Sequence, residues 1–552
     1  MKKNDFLAVL VIIILAFFAV VPATADNTDI MDVQLDSTID LAQAFEDGRY
    51  TWTISEDGTY CILENVVYCA NPIDVSYDEF GHLYESMIII APYEYFTEGS
   101  VNGYTADTAP IILKNNCQGW NSSIPQIAND DSAITFIDQI KAGFVYVGCG
   151  ARSRDLTEGN APAPVVDLKA GIRFLKANDA VLPGDSNKII SMGGSGAGEM
   201  SSVLGASGNM EAYYPYLYEI GAAGLTYTDG EYISYVGDDV FGCMAFYPIA
   251  DIDNADMAYA WLRFDSGETQ IRNWRTGDII PFSQFQFELQ NDLAIAFCEY
   301  VNSMDLVDEN GNNLTFDVDA NGDIINPRTG SYYDKVLQNL SDALMLYLAE
   351  EKDPQLFVEE NYYIDGRLPE WLAQDDDGFH VLDIAGFLNG TKLGRNKNIT
   401  GFDAFDLSAE NNAFGTADEK AVHYSTSVAG VLQNKYEKYA TLKGFPAEQV
   451  DAYIQQAFRE DIVEQTYLMN ATHIMFDVAD GKQAADVAEN WRIRVGTADQ
   501  HTSCTVSFNM ALAAEKAGAA VDYSMVWNMV HGSEKEGTST GTFIEWVDSI
   551  CK

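Results

Sequence analysis

Seven short apolar runs have the character of strands buried on both faces, because most are continuous rather than alternating. They lie at residues 87–91, 110–113, 143–149, 188–192, 242–247, 492–495 and 521–527. Between the third and fourth runs, residues 166–176 place apolar side chains at helical spacing, with basic residues elsewhere. The succession of strand, helix and strand predicts an α/β fold with a mostly parallel central sheet and helices on both faces.

The strand pattern stops after the fifth run and resumes only near Trp491. From residue 257 to residue 475 the chain has polar turns and amphipathic helical segments, of which 340–352 and 448–464 are examples. We therefore predict a large, mainly helical insertion at 257–475. It divides one α/β domain into a first part, 26–256, and a second part, 476–552.

The amino terminus has the pattern of a secretory signal peptide. Lys2 and Lys3 precede an apolar run at 6–21, and Ala23-Thr24-Ala25 provides a cleavage site. We predict a signal peptide at 1–25 with cleavage after Ala25, and a secreted protein without stable membrane association. An uncleaved anchor is the alternative, because sixteen apolar residues are at the long end for a signal peptide.

Composition excludes several classes of protein. Hydrophobic residues make up 47% of the chain, enough for a substantial core. Lys and Arg number 32 against 83 Asp and Glu, which gives a net charge of −51. Such a charge repels phosphate backbones and anionic lipid, so we expect no nucleic acid partner. The charge is typical of a highly soluble protein, in a salty or extracellular setting.

The cysteines and acidic motifs do not predict a metal site. Export permits disulfides among the eight cysteines, and Cys61 and Cys69 are the plausible local pair. No cysteine or histidine spacing matches a zinc site. Residues 317–323 resemble the start of a calcium loop, but Arg328 occupies its twelfth position, so an Asn-Gly turn is the better interpretation. We predict no metal and no cofactor.

A glycine-rich turn directly follows the strand predicted at 188–192. Its sequence, Gly193-Gly194-Ser195-Gly196-Ala197-Gly198, precedes a segment of helical character and has the strand–turn–helix context of a nucleophile elbow. A phosphate-binding loop is excluded because Glu199 stands where Lys or Gly is needed. Ser195 is the predicted nucleophile, and a purely structural glycine turn is the alternative.

A nucleophilic serine requires a histidine base and a carboxylate that orients it. The sequence offers six histidines, of which His531 follows the last predicted strand. Asp499 follows the preceding strand, so Ser195, Asp499 and His531 all lie at strand ends in the order of an α/β hydrolase. The rival acids follow the run at 242–247; they are Asp251, Asp253 and Asp256.

The tetrahedral intermediate of ester cleavage needs two backbone N–H donors. Gly196, next to the nucleophile, is the first predicted donor. The second should lie in the loop at 116–120, after the strand at 110–113, where Gln118 and Gly119 are the candidates.

The chain resembles the α/β-hydrolase serine esterases related to bacterial (subtype B) tannases and feruloyl esterases. The resemblance covers most of the mature chain and is most specific at 67–74, 150–155 with 167–202, 247–257, and 491–502 with 527–531. It implies the same triad of Ser195, Asp499 and His531, and a lid-like role for the insertion. The elbow departs from the family pattern G-T-S-A-G-G, because Gly194 replaces its Thr, Gly196 replaces its Ala, and Ala197 replaces the first Gly of its final pair.

The resemblance also implies three residues that bind substrate. Glu410 and, less directly, Lys397 correspond to lid residues that hold the galloyl hydroxyls in tannases, while His501 stands where the family has an Asp. The sequence therefore predicts a secreted serine hydrolase acting on carboxylic esters of phenolic or aromatic acids. A secreted serine peptidase and a non-catalytic extracellular binding protein on a hydrolase fold are the alternatives.

Overall fold

The computed structural model describes residues 40–73, 83–125, 127, 134–272, 277–537 and 540–552. The predicted signal peptide at 1–25 and one of the six histidines, His82, lie outside the described residues. Within those residues, none of the helices combines the length and the apolar character needed to cross a bilayer.

A nine-stranded sheet forms the centre of the described part of the molecule. In spatial order its strands are Thr53–Ile54 (β1), Tyr60–Val67 (β2), Ser86–Pro92 (β3), Val145–Cys149 (β5), Ile111–Asn115 (β4), Ile189–Gly194 (β6), Gly242–Phe246 (β9), Asn490–Gly496 (β14) and Ala520–Val526 (β15). The strands from β5 to β15 in this order are parallel, and β1, β2 and β3 are antiparallel to their neighbours.

Each of the seven predicted runs is a strand of this sheet. The sequence pattern missed β1 and β2 at the antiparallel edge. Strand β2 mixes buried and exposed positions and carries a bulge between Leu63 and Val66, so it lacks a continuous apolar run. Three two-stranded hairpins lie outside the sheet, formed by Leu225–Thr228 (β7) with Glu231–Ser234 (β8), Gln270–Arg272 (β10) with Ile279–Pro281 (β11), and Leu372–Asp375 (β12) with Gly378–Val381 (β13).

Helices surround the sheet and make up most of the insertion. Those of the first part of the core are Leu41–Glu46 (α1), Phe136–Ala142 (α2), Ala163–Ala177 (α3), Gly196–Ala206 (α4) and Tyr214–Glu219 (α5). Those between β9 and β14 are Ala255–Leu262 (α6), Gln284–Ser303 (α7), Ser331–Glu350 (α8), Pro354–Tyr362 (α9), Ile384–Gly390 (α10), Thr426–Asn434 (α11), Tyr436–Tyr439 (α12), Ala447–Ala457 (α13), Glu460–Tyr467 (α14) and Ala471–Ala479 (α15). The last two are Cys504–Lys516 (α16) and Phe543–Cys551 (α17). Short 3₁₀ turns lie at Tyr93–Phe96, Gln118–Trp120, Glu211–Tyr213 and Glu410–Ala413.

Both faces of the sheet are covered, as the continuous apolar strands indicated. Along β3, Met87 and Ile89 belong to the main core, while Ile88 and Ile90 pack with α2 on the opposite face. Helix α3 approaches the main face so closely that a Cβ at Gly171 would lie 2.9 Å from the Cys149 sulfur. The predicted α/β-hydrolase architecture, with a mostly parallel sheet and a helical insertion, is confirmed.

The segment predicted as one helix at 448–464 is two helices, α13 and α14. The chain becomes extended at Arg459, with ψ at 136°, before α14 begins. The Arg459 guanidinium pairs with Asp461 and Glu419, at 2.6 Å in each case. Amphipathic spacing continues across this break, which is why the pattern did not show it.

The predicted pairing of Cys61 with Cys69 is wrong, because all eight cysteines are free and buried. Cys61 lies in β2, and Cys69 follows the end of the same strand. Eight residues of extended chain span about 26 Å, whereas a disulfide requires Cα atoms within about 7 Å. Proximity in sequence was therefore misleading.

The basic residues of α3 form a buried ionic cluster rather than a solvated face. Lys169 and Arg173 donate to the two oxygens of Asp238, at 2.8 and 3.0 Å, and all three side chains are at most 1% exposed. Burial raises the pKa of Asp238, but the charges of Lys169 and Arg173 outweigh it and lower the pKa below its ordinary value. The cluster thus holds its carboxylate ionised while excluded from water.

We expect Asp238→Asn to lower the free energy of unfolding by about 3–5 kcal/mol, because it leaves two buried cations without their anion. The matched control is Asp239→Asn, which removes an ion pair to Lys176 from a side chain that is 42% exposed; it should cost under about 1 kcal/mol. Urea denaturation at neutral pH measures both. Equal losses in the two variants would contradict a special role for the buried cluster.

Candidate active site

Ser195 occupies a sharp turn between β6 and α4. Its φ of 61° and ψ of −127° are strained for a residue with a side chain, as a nucleophile elbow requires. The glycines make the turn possible: a Cβ at Gly193 would lie 2.2 Å from the Ala197 oxygen, and one at Gly194 2.6 Å from the Tyr247 hydroxyl. Ala197 is fully buried, so its methyl group, a departure from the usual glycine, fits into the core.

His531 and Asp499 lie in the loops that follow β15 and β14. These strands are parallel neighbours in the half of the sheet that contains β6, so their carboxyl ends meet at one edge. The Ser195 Oγ is 2.8 Å from His531 Nε2, and His531 Nδ1 is 2.8 Å from Asp499 Oδ2. The structure thus brings the three predicted residues into one hydrogen-bonded chain.

The rival acids are bonded to other groups. Asp251 accepts from Tyr300 at 2.8 Å, Asp253 accepts from the Thr426 backbone at 2.8 Å, and Asp256 accepts from the amides of 401–403. Among the described histidines, His531 is the one hydrogen-bonded to a serine hydroxyl. His423, by contrast, is buried against Asp403 at 2.6 Å within the insertion.

The turn at Gln118–Trp120 packs against the start of α4. A Cβ at Gly196 would lie 2.8 Å from the Trp120 backbone nitrogen, so the two segments carrying the predicted oxyanion donors are adjacent. Gly196 is the first residue of α4, where backbone N–H groups have no partner within the helix. Gln118 N–H donates to Asn116 O at 2.6 Å and Trp120 N–H to Cys117 O at 3.1 Å. Gly119 N–H takes part in neither bond, which favours Gly119 over Gln118 as the second donor.

A cavity of about 740 Å³ lies between the loop that follows β14 and the insertion, and Lys397, Glu410 and His501 all line it. Lys397 Nζ lies 3.1 Å from Glu410 Oε1 and 4.3 Å from the centre of the Phe402 ring. The volume is in the range that accommodates a small organic ligand. The three residues implied by the resemblance therefore line one cavity, and they contribute a cation, an anion and an imidazole to its wall.

His501 connects this cavity to the triad. Its ring centre is 4.6 Å from that of His531, with the planes inclined by 32°. Its backbone N–H donates to Asp499 Oδ1 at 2.8 Å, so one carboxylate holds both histidines. Burial, followed by the charge of His531, lowers the pKa of His501 to about 4. The ring is consequently neutral at neutral pH.

Sequence reasoning missed Asn396 and Trp120. Asn396 Nδ2 lies 3.0 Å from His501 Nε2, although the two residues are 105 positions apart. Trp120 is buried against Gly196 with its backbone in a left-handed conformation, φ 59°. Neither role has a local sequence signal, because each depends on a contact between distant segments.

The chain is similar to one protein family model and to solved structures of bacterial tannases. Residues 102–263, which include Ser195, match the BD-FAE family model. The chain superposes on the tannase from Fusobacterium nucleatum with a TM-score of 0.72 and 27% identity, covering 91% of this chain and 98% of that one. The native tannin acyl hydrolase from Lactobacillus plantarum gives 0.70 and 26%, covering 91% and 97%. No curated protein sequence matches the chain.

The fold and these matches define the class of protein: the chain is a carboxylic ester hydrolase of the α/β-hydrolase type. More particularly, it is related to the bacterial tannases and carries a feruloyl-esterase-like BD-FAE segment. The resemblance noted in the sequence is thereby confirmed.

The lowered pKa of His501 makes stability depend on pH. The folded-state value of about 4 lies below the ordinary value of 6.5, so the unfolded chain binds more protons between these limits. The stability of the protein is therefore expected to fall as the pH falls from about 6.5 toward 4. We expect His501→Asn to lose less stability than wild type between pH 7 and pH 5, measured by urea denaturation. An identical pH dependence in both proteins would contradict a half-buried His501 whose pKa is lowered in the folded state.

Proposed function

We propose that the protein is a secreted serine esterase that cleaves carboxylic esters of phenolic or aromatic acids through a Ser195–His531–Asp499 triad. The observation that carries the proposal is the pair of 2.8 Å contacts, one between Ser195 and His531 and the other between His531 and Asp499. The similarity to tannases supports the reaction class.

The reaction begins when Ser195 attacks the ester carbonyl. His531 Nε2 takes the proton from the hydroxyl as the bond between Oγ and the carbonyl carbon forms. Asp499 holds the opposite nitrogen and stabilises the imidazolium that results. Collapse of the tetrahedral intermediate breaks the ester bond, and the alcohol leaves with the proton from His531. The acid remains bound to Ser195 as an ester.

Water then releases the acid by the same route. His531 accepts a proton from the water that attacks the acyl-enzyme, and returns it to Ser195 as the acid departs. In both halves the negative charge develops on the carbonyl oxygen, where the backbone N–H groups of Gly196 and Gly119 would stabilise it. The proximity of the Gln118–Trp120 turn to α4 supports this assignment.

The cavity beside the triad is the proposed acyl site, with the insertion at 257–475 acting as its lid. Lys397 and Glu410 offer a charged donor and acceptor to ring hydroxyls, and His501 lies nearest to the catalytic histidine. One tannin acyl hydrolase of this fold has been solved in complex with ethyl gallate. A small-molecule phenolic ester is accordingly the proposed substrate.

Secretion is proposed from the leader pattern at 1–25, with its basic start, apolar run and Ala-Thr-Ala site. The net charge of −51 is compatible with an extracellular protein that remains soluble at high salt.

Ser195→Ala should lower kcat by about 10⁶-fold while leaving the free energy of unfolding nearly unchanged, because it removes the nucleophile alone. The matched control is Ser202→Ala in α4, whose hydroxyl donates to Gly198 O at 2.8 Å within the same helix; it should retain kcat. The substrates are p-nitrophenyl butyrate, methyl gallate, methyl ferulate and a chromogenic peptide.

The substrates also separate the alternatives. Ser195-dependent cleavage of the peptide in preference to the esters would indicate a peptidase. Cleavage of none of them, with no labelling of Ser195 by a fluorophosphonate, would indicate a binding protein that kept the hydrolase fold.

Asp499→Asn should lower kcat by about 10⁴-fold, since the amide no longer holds His531 in the reactive tautomer. Asp253→Asn is the matched control, because Asp253 is buried at a strand end but bonds to Thr426. It should reduce stability and leave kcat within a few-fold of wild type. A larger kcat loss in Asp253→Asn would show that the orienting acid has been assigned to the wrong residue. Kinetics with p-nitrophenyl butyrate, together with thermal unfolding, provide both readouts.

A further inference from the structure

The wall of the acyl cavity nearest to the triad is an imidazole. His501 lines the cavity, and its ring lies against that of His531, with the ring centres 4.6 Å apart. Its backbone is fixed by the 2.8 Å bond to Asp499. A ring bound in the cavity and esterified to Ser195 would therefore place a substituent against His501.

Asn396 determines which nitrogen of His501 carries the proton. Its amide nitrogen Nδ2, which can only donate, lies 3.0 Å from His501 Nε2. A neutral imidazole that accepts at Nε2 must carry its hydrogen on Nδ1. The pKa of about 4, which follows from burial and the nearby His531, keeps the ring in this uncharged form at neutral pH. His501 consequently offers a bound ligand an N–H donor.

The cavity also contains a group that suits a phenolic hydroxyl. The Lys397–Glu410 pair, joined at 3.1 Å, presents an ammonium that donates and a carboxylate that accepts. A hydroxyl can satisfy both of its hydrogen-bonding roles there. His501 has one donor and no acceptor left, so a hydroxyl bound to it would need a separate acceptor for its own hydrogen. An ether oxygen has no such hydrogen.

We propose that His501, oriented by Asn396 as its Nδ1–H tautomer, is a specificity-determining residue that selects methoxylated hydroxyaromatic acyl groups over acyl groups bearing only ring hydroxyls. The proposal rests on the proposed esterase function and names its substrate class. The hydroxyl of such an acid would bind Lys397 and Glu410, and its ether oxygen would accept from His501.

The test compares methyl syringate with methyl gallate, because the two esters differ only in methoxy groups that replace hydroxyls. The measured quantity is the ratio of kcat/KM for methyl syringate to kcat/KM for methyl gallate, so that general losses of activity cancel. We expect a ratio of at least about 10 for wild type. His501→Asp, which can only accept, should reverse it to below 1. Ser408→Ala, which alters a cavity position whose hydroxyl bonds to Asp406, should leave the ratio unchanged.

Asn396→Leu tests the orientation without changing His501. Loss of the amide donor releases the ring to either tautomer, so the ratio should fall toward 1. Nitrogen-15 NMR of labelled histidine, assigned with the His501→Asn variant, reads the tautomer directly. We expect the proton on Nδ1 in wild type and a mixture in Asn396→Leu. A proton on Nε2 in wild type would overturn the proposal.

Failure of this inference is distinguishable from failure of the proposed function. p-Nitrophenyl butyrate has an acyl group without ring substituents, so its Ser195-dependent cleavage tests the esterase alone. If that activity is absent, the function itself is wrong. If it is present and the ratio is the same in wild type and His501→Asp, the role of His501 is wrong.

Discussion

The strained turn at Ser195 is the constraint on which the active site depends. A positive φ at a residue with a side chain costs of order 1–3 kcal/mol, and the fold sustains it by packing β6 and α4 into the core. Close approach of the turn to Ala197 and Tyr247 requires glycine at 193 and 194. As a result, the Ser195 hydroxyl lies at the carboxyl edge of the sheet, next to the backbone N–H groups at the start of α4 that have no partner within the helix.

Asp499 links the proposed triad to the proposed acyl cavity. One oxygen accepts from His531 and the other from the backbone of His501, so a single carboxylate sets the position of the His531 ring and of the His501 ring beside it. Asp256 likewise holds a segment in position, in this case one that belongs to the insertion. It accepts from the amides of 401–403 and thereby fixes the segment between Lys397 and Glu410 to the core. The proposed lid is thus held to the core by buried carboxylates as well as by apolar packing.

Burial of charge is a recurring device in this acidic protein. Asp238 neutralises two buried cations on α3, whereas the Lys397–Glu410 pair in the cavity wall is partly exposed. Buried pairs of the Asp238 kind are strongly destabilising to break, since the partner left behind has neither water nor counter-ion. They also fix the relative positions of the segments that carry the paired charges, which apolar contacts alone do not determine. His501 differs from these groups, because burial lowers its pKa and keeps the ring uncharged, so that it interacts through hydrogen bonds rather than through charge.

The sequence by itself determined the elements whose signal is local. Continuous apolar runs marked the buried strands, and the glycine-rich turn with Ser195 marked the elbow, because burial on both faces and tight backbone packing each restrict residue type directly. Tertiary structure decided what depends on distant partners. It showed that Asp499 rather than Asp251, Asp253 or Asp256 contacts His531, that the N–H of Gln118 is bonded within its own turn, and that Asn396 contacts His501. Asp499 and His531 are 32 positions apart, and Asn396 and His501 are 105 apart. Hydrogen bonds between such distant positions leave no periodicity in a chain, so only the folded arrangement specifies them.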